Sequence, residues 1–141
     1  NRYDTDIRNA IKQVKIPYRQ NGGSSGTDRN GANGLSCKIF LLSGREVGWD
    51  SADNQYFPND GAKLDYFIDG TGSFADQKRV ATLNGSATDW WLRSPDTRAT
   101  GGVRGVSSGG NYNYWGASSS CGVRPALILP YDFTFQESEV A

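Results

Sequence analysis

Two apolar stretches near the end of the chain, Trp90-Trp91-Leu92-Arg93-Ser94-Pro95 and Gly122-Val123-Arg124-Pro125-Ala126-Leu127-Ile128-Leu129, bracket a run of small, polar and aromatic residues. Apolar runs this short suit strands, and the 18 glycines cluster where turns would join them. That pattern disfavours both a helical bundle and a parallel sheet. The expected fold class is α+β: loop-rich, with short helices and a small, mainly antiparallel sheet. The bracketed run contains Gly109-Gly110-Asn111-Tyr112-Asn113-Tyr114-Trp115-Gly116-Ala117-Ser118. Tyr and Trp give large contact area at low entropy cost, while Ser, Gly and Asn give adaptable hydrogen bonding, the residue mix of binding loops.

The 141 residues are one domain's worth, so a single domain over 1–141 is expected, with enough apolar content to bury a core. Fifteen basic and fifteen acidic residues cancel, so no broad field draws the chain to nucleic acid or to an anionic membrane. No apolar run approaches the roughly 20 residues needed to cross a bilayer. Met is absent, including at position 1, which suggests a processed form or a C-terminal fragment of a longer protein. Cys37 and Cys121 make no framework and no Cys-x-x-Cys motif; they read as two small apolar residues near strand starts, with a single bridge as the alternative.

Ile7, Ala10, Ile11 and Val14 fall at helical spacing behind the caps Asp4 to Asp6, which predicts a short amphipathic helix closed before Pro17. Residues 21–34 are polar and rich in turn formers and read as a long exposed loop. Lys38 to Leu42 has the length of a strand, and Ser43-Gly44-Arg45-Glu46 matches a capping box that starts a helical turn carrying Val47. Asn59-Asp60-Gly61 offers caps for a second helix bearing Leu64 and Phe67 on one face. Trp90 to Arg93 reads as a buried strand with Trp90 and Trp91 on opposite faces. Gly101 to Ser107 and Asn111 to Trp115 flank Ser108-Gly109-Gly110, a hairpin signal, and Val123 to Leu129 supplies the last strand.

The chain contains no His, which removes Ser-His-Asp and Cys-His nucleophilic sites and His-ligated zinc together. Asp50, Asp53, Asp65 and Asp69 are spaced as calcium-loop carboxylates could be, but they match no EF-hand pattern and read better as solvated loop residues. No metal and no cofactor is expected. Arg93 and Arg124 each stand beside apolar residues. Each either contacts a ligand or, as the better reading, ties down loop carbonyls with its fork of donors.

The motifs Trp90-Trp91-Leu92-Arg93-Ser94-Pro95 and Gly122-Val123-Arg124-Pro125-Ala126-Leu127, preceded by Lys38 to Ser43 with Glu46 and by Tyr66-Phe67, resemble a bacterial and phage domain family of uncharacterised function. That family is similar to the formylglycine-generating-enzyme branch of the C-type lectin fold and to the variable proteins of diversity-generating retroelements. The resemblance implies a C-type lectin-like domain. It also implies a virion or bacterial-surface module that binds a protein or glycan on a cell surface, with residues between fixed anchors open to diversification. The binding residues expected on that basis are Asp96, Thr97, Arg98, Ser107, Asn111, Tyr112, Asn113, Tyr114, Trp115 and Ser118, held by a scaffold of Trp90, Trp91, Arg93, Arg124 and Pro125. An enzyme of the formylglycine-generating type would need Cys37 and Cys121 close together and reactive. A structural surface or virion domain is the third reading.

Overall fold

The computed structural model describes residues 5–49 and 55–134. Its regular elements are short. A helix α1 (Thr5–Ala10) leads to β1 (Val14–Ile16), β2 (Tyr18–Gln20), β3 (Thr27–Arg29), β4 (Leu35–Cys37) and β5 (Ile39–Leu41). Then come α2 (Ser73–Arg79), β6 (Ala81–Leu83), β7 (Ser86–Thr88), β8 (Trp90–Pro95), β9 (Gly102–Val106), β10 (Tyr112–Gly116) and β11 (Pro125–Leu127). The central sheet runs β10-β9-β8, and the other strands form the antiparallel pairs β1-β4, β2-β3, β5-β11 and β6-β7. The fold is therefore α+β, loop-rich and antiparallel in its ladders.

Strand β8 alternates between buried and half-buried positions along its whole length, as its sequence requires: Trp90, Leu92 and Ser94 point inward, Trp91, Arg93 and Pro95 do not. The core gathers Leu42, Val47, Trp49, Phe57, Phe67, Trp90, Leu92 and Val106. Trp49 stacks on Phe57 with ring centres 5.4 Å apart. The capping box forms: the Ser43 amide donates to Glu46 Oε2 at 3.0 Å and the Glu46 amide to Ser43 Oγ at 3.2 Å, with both residues buried.

Three expectations are corrected. Val14 is not the last turn of a helix; it opens β1 opposite Cys37, because the partner strand β4 lies far along the chain and outside the reach of helical periodicity. Residues 21–34 are not one exposed loop. Tyr18–Gln20 and Thr27–Arg29 form a hairpin, and at its tip Gly22 and Gly23 are buried, with the Gly23 amide donating to Asp96 O at 2.8 Å. No helix follows Asn59-Asp60-Gly61. Phe67 is buried there, but the second helix is α2. Residues 50–54, half of the weighed calcium loop, lie outside the described residues; Asp65 and Asp69 are exposed, with Asp69 3.7 Å from Lys63 Nζ.

The irregular segments are braced by arginines. Arg79 at the end of α2 is fully buried, 4.3 Å from the Trp49 ring centre, and donates to Val47 O (2.7 Å), Ile68 O (2.7 Å) and Gly70 O (2.8 Å). Burial lowers its pKa, with Asp76 and Asp69 opposing. It remains a cation, since guanidinium does not deprotonate in proteins. Gly110 closes the β9-β10 turn at φ 87° against Asp76 O of α2, a backbone approach that admits no Cβ.

Candidate functional site

The expected β9-β10 hairpin forms, with Tyr112 opposite Val106 and Trp115 opposite Val103. Its two-residue alternation divides the expected binding residues between two faces. Tyr112 and Tyr114 share one face. There Tyr112 is half-buried, edge-on to Trp49 at 5.7 Å and to Phe57 at 5.9 Å, so it belongs to the core margin and not to a display surface. Tyr114, one turn of the pleat further on, is 52% exposed. Trp115 lies on the other face, half-buried against Trp91 with ring centres 5.7 Å apart. Gly105 leaves the room it needs, since a Cβ there would stand 2.5 Å from the Trp115 ring.

Asp96 is also corrected. It is 1% exposed, and its Oδ2 lies 2.8 Å from Nη2 of Arg104, itself 2% exposed. The carboxylate and guanidinium thus meet as a close ion pair shut off from solvent. Four rings surround the guanidinium: Tyr56 at 4.9 Å, Phe57 at 5.3 Å, Tyr114 at 5.3 Å and Tyr112 at 6.0 Å. Burial lowers the Arg104 pKa, with the Asp96 carboxylate opposing. An ion pair so enclosed is a rigid fixture and an expensive one to break. Asp96 Oδ1 also accepts the Arg98 amide at 2.8 Å, while Thr97 donates through Oγ1 to Gln55 O at 2.7 Å. Asp96 and Thr97 thus staple the 96–99 turn to the segment carrying Tyr56. Arg98 is left outward, its guanidinium carbon 3.7 Å from the Tyr56 ring centre.

What remains outward around this fixture is Arg98, Tyr114 and the edge of Tyr56. Asn111, Asn113 and Ser118 are exposed further along the hairpin and the loop after it, and Ser107 is half-buried at the turn. Asn113 turns its Oδ1 back to the Tyr114 amide at 2.8 Å. Arg104 had no distinctive sequence signal. Only its place two residues before Val106 on a strand marked it as inward-facing.

The scaffold arginines part company. Arg93 donates to Pro17 O, Leu41 O and Asp60 O at 2.6–2.9 Å and grips Glu46 with both Nη atoms at 2.6 and 2.7 Å. Asp60 beside it is fully buried, accepts Ser94 Oγ at 2.7 Å, and has its pKa raised from the ordinary 3.8 to about 6, chiefly by burial. Ser94 Oγ in turn accepts the Gly44 amide at 2.9 Å. Arg124 does not meet the expectation. Its guanidinium lies 4.9 Å from the Trp90 ring centre and donates to no acceptor among the described residues, with Nη1 fully covered. Pro125 is exposed at the start of β11, with Leu41 opposite.

The family model of a domain of unknown function, DUF6273, matches residues 1–131. The chain belongs to this family. Comparison with curated proteins and with solved structures gives no match. In this DUF6273 domain both thiols are free. Cys37 ends β4, whereas Cys121 adjoins the Trp90–Gly122 bridge, and burial followed by the Asp89 charge pushes the Cys121 thiol up. A nucleophilic cysteine needs the opposite shift. Among the described residues no group of three His, Cys, Asp or Glu side chains gathers as a metal site.

Proposed function

We propose that this domain is a ligand-binding module of C-type lectin-like fold that presents the surface around Arg98, Tyr114 and Tyr56, with Asn111, Asn113 and Ser118 at its margin. The reading rests on one observation above all: an exposed Arg and two tyrosines stand on a fully buried Asp96–Arg104 pair. Binding surfaces concentrate their energy in Tyr, Trp and Arg, and such residues act best when already immobilised. The short antiparallel strands and the anchored hairpin are compatible with the lectin-like fold. The exposed residues Arg98, Asn111, Asn113, Tyr114 and Ser118 can vary without touching the core, which suits a diversified surface protein of a phage or bacterium. The natural partner is a protein or a glycan on a cell surface.

The test is capture of host-cell surface extracts and of an immobilised glycan array by the intact domain. Replacing Arg98 and Tyr114 together by Ala should abolish capture and leave the melting curve unchanged. Retained capture by that variant would refute the assignment of the surface.

A further inference from the structure

A separate concavity lies beside the β6-β7 hairpin, and none of its lining residues belongs to the surface just assigned. It is a cleft of about 380 Å³ between β6 and the 122–125 segment, and a second, more open concavity continues from it past Asp89 and Cys121. Trp90 and Arg124 both line it; Trp90 is 1% exposed and lies under the Arg124 guanidinium. Its rim is apolar and open to solvent, with Leu83 60% and Val123 70% exposed. Thr88 adds a hydroxyl-bearing side chain.

We propose that this cleft binds a monocarboxylate carried on an apolar body, with Arg124 as the carboxylate receptor. Arg93 and Arg79 spend their donor forks on protein acceptors, whereas that of Arg124 has none among the described residues. The Arg124 guanidinium lies over the rings of Trp90 at 4.9 Å and Phe67 at 5.9 Å, and a cation held on ring faces keeps its N–H donors for an acceptor in the cleft. A carboxylate satisfies two parallel N–H groups at once. The walls choose the rest of the ligand: Leu83, Val123 and Pro125 offer apolar surface and no second cation. A phosphate dianion would keep uncompensated charge beside those walls and near Asp89, which disfavours it. The volume sits at the small end of ligand pockets, about 300 to 1,000 Å³, and suits one amino-acid-sized group. A free acid and the C-terminal residue of a peptide share this chemistry.

The probe is N-acetyl-leucine, titrated into the isotope-labelled domain and followed by the Trp90 indole N–H and the amides of residues 81–83 and 122–124. Saturable shifts are expected, with affinity at least tenfold weaker for N-acetyl-leucinamide, which lacks the charge, and no displacement by inorganic phosphate. R124Q should lose at least tenfold. V123D, at the exposed rim, should do the same by repulsion, and it decides the matter if R124Q fails to fold. A leucine-terminated tetrapeptide that binds more tightly than N-acetyl-leucine assigns the site to peptide ends, and equal affinity assigns it to free acids. The proposal is overturned if neither N-acetyl-leucine nor hexanoate gives saturable shifts at millimolar concentration. Equal affinity for acid and amide, or full binding by V123D, overturns it as well.

Discussion

Asp60→Asn should change how stability depends on pH. Asp60 is fully buried, its Oδ2 accepts the Ser94 hydroxyl, and its Oδ1 has no donor among the described residues. Burial raises its pKa from 3.8 to about 6 against the opposing influence of Ser94 and Arg93. Between those two values the folded chain holds a proton that the unfolded chain has released, so unfolding becomes easier as pH rises through the window. The stability is fully present below pH 3.8 and is lost by the time pH passes about 6. At about 1.4 kcal/mol per pH unit the whole change is about 3 kcal/mol, of which about 2 kcal/mol falls between about pH 4 and pH 7.5. Asn keeps the carbonyl oxygen for Ser94 and cannot ionise. Urea midpoints of the wild type and Asp60→Asn, measured across that range, should therefore diverge by about 1 M at a slope of about 2 kcal/mol per molar. The variant gains on the wild type toward neutral pH. Two midpoint curves that run parallel would refute the reasoning.

Arg93→Ala should cost about 3 to 5 kcal/mol, because it strands Glu46 and several carbonyls in a nearly closed site, and a melting curve checks it. Arg124→Ala, which breaks no hydrogen bond, should cost only about 1 kcal/mol through its lost contact with Trp90; an equal loss for both variants would contradict the division of roles. Tyr112→Ala should destabilise by about 3 kcal/mol as an aromatic core truncation, whereas Tyr114→Ala should leave the melting temperature within about a degree or two. Thiol titration of the native domain should find Cys121 alkylated more slowly at neutral pH than in urea, in keeping with its raised pKa.

The parts of this fold that could be read from sequence are those whose signals lie within a few residues. The Ser43–Glu46 box needs only its own four positions, the β9-β10 hairpin needs its Gly-rich turn, and β8 writes its two faces in alternate residues. Val14 stands at helical spacing yet pairs in a strand, because helical spacing cannot see a partner at Cys37. Helix α2 carried no apolar stripe to find, since its buried residues are Ala75, Asp76 and Arg79. The residues expected to form one displayed surface on the β9-β10 hairpin divide between its two faces and the core margin. Composition marks Tyr112 and Tyr114 alike, and only three-dimensional packing separates a ring beside Trp49 from one beside solvent. The Arg104–Asp96 pair that underlies the surface joins two charged residues whose types, read singly, suggest exposure.

The arginine braces at Arg79 and Arg93 hold carbonyl oxygens and leave the neighbouring amides to find partners of their own. Amide hydrogen exchange registers only whether an N–H is protected. A carbonyl clamped by a guanidinium is invisible to it, so around Ile68 exchange reports on the Phe67 and Gly70 amides, which donate to Leu64 O and Gly48 O, and not on the clamp itself. Side-chain relaxation at the two guanidinium groups would gauge directly how firmly the clamps hold these loops.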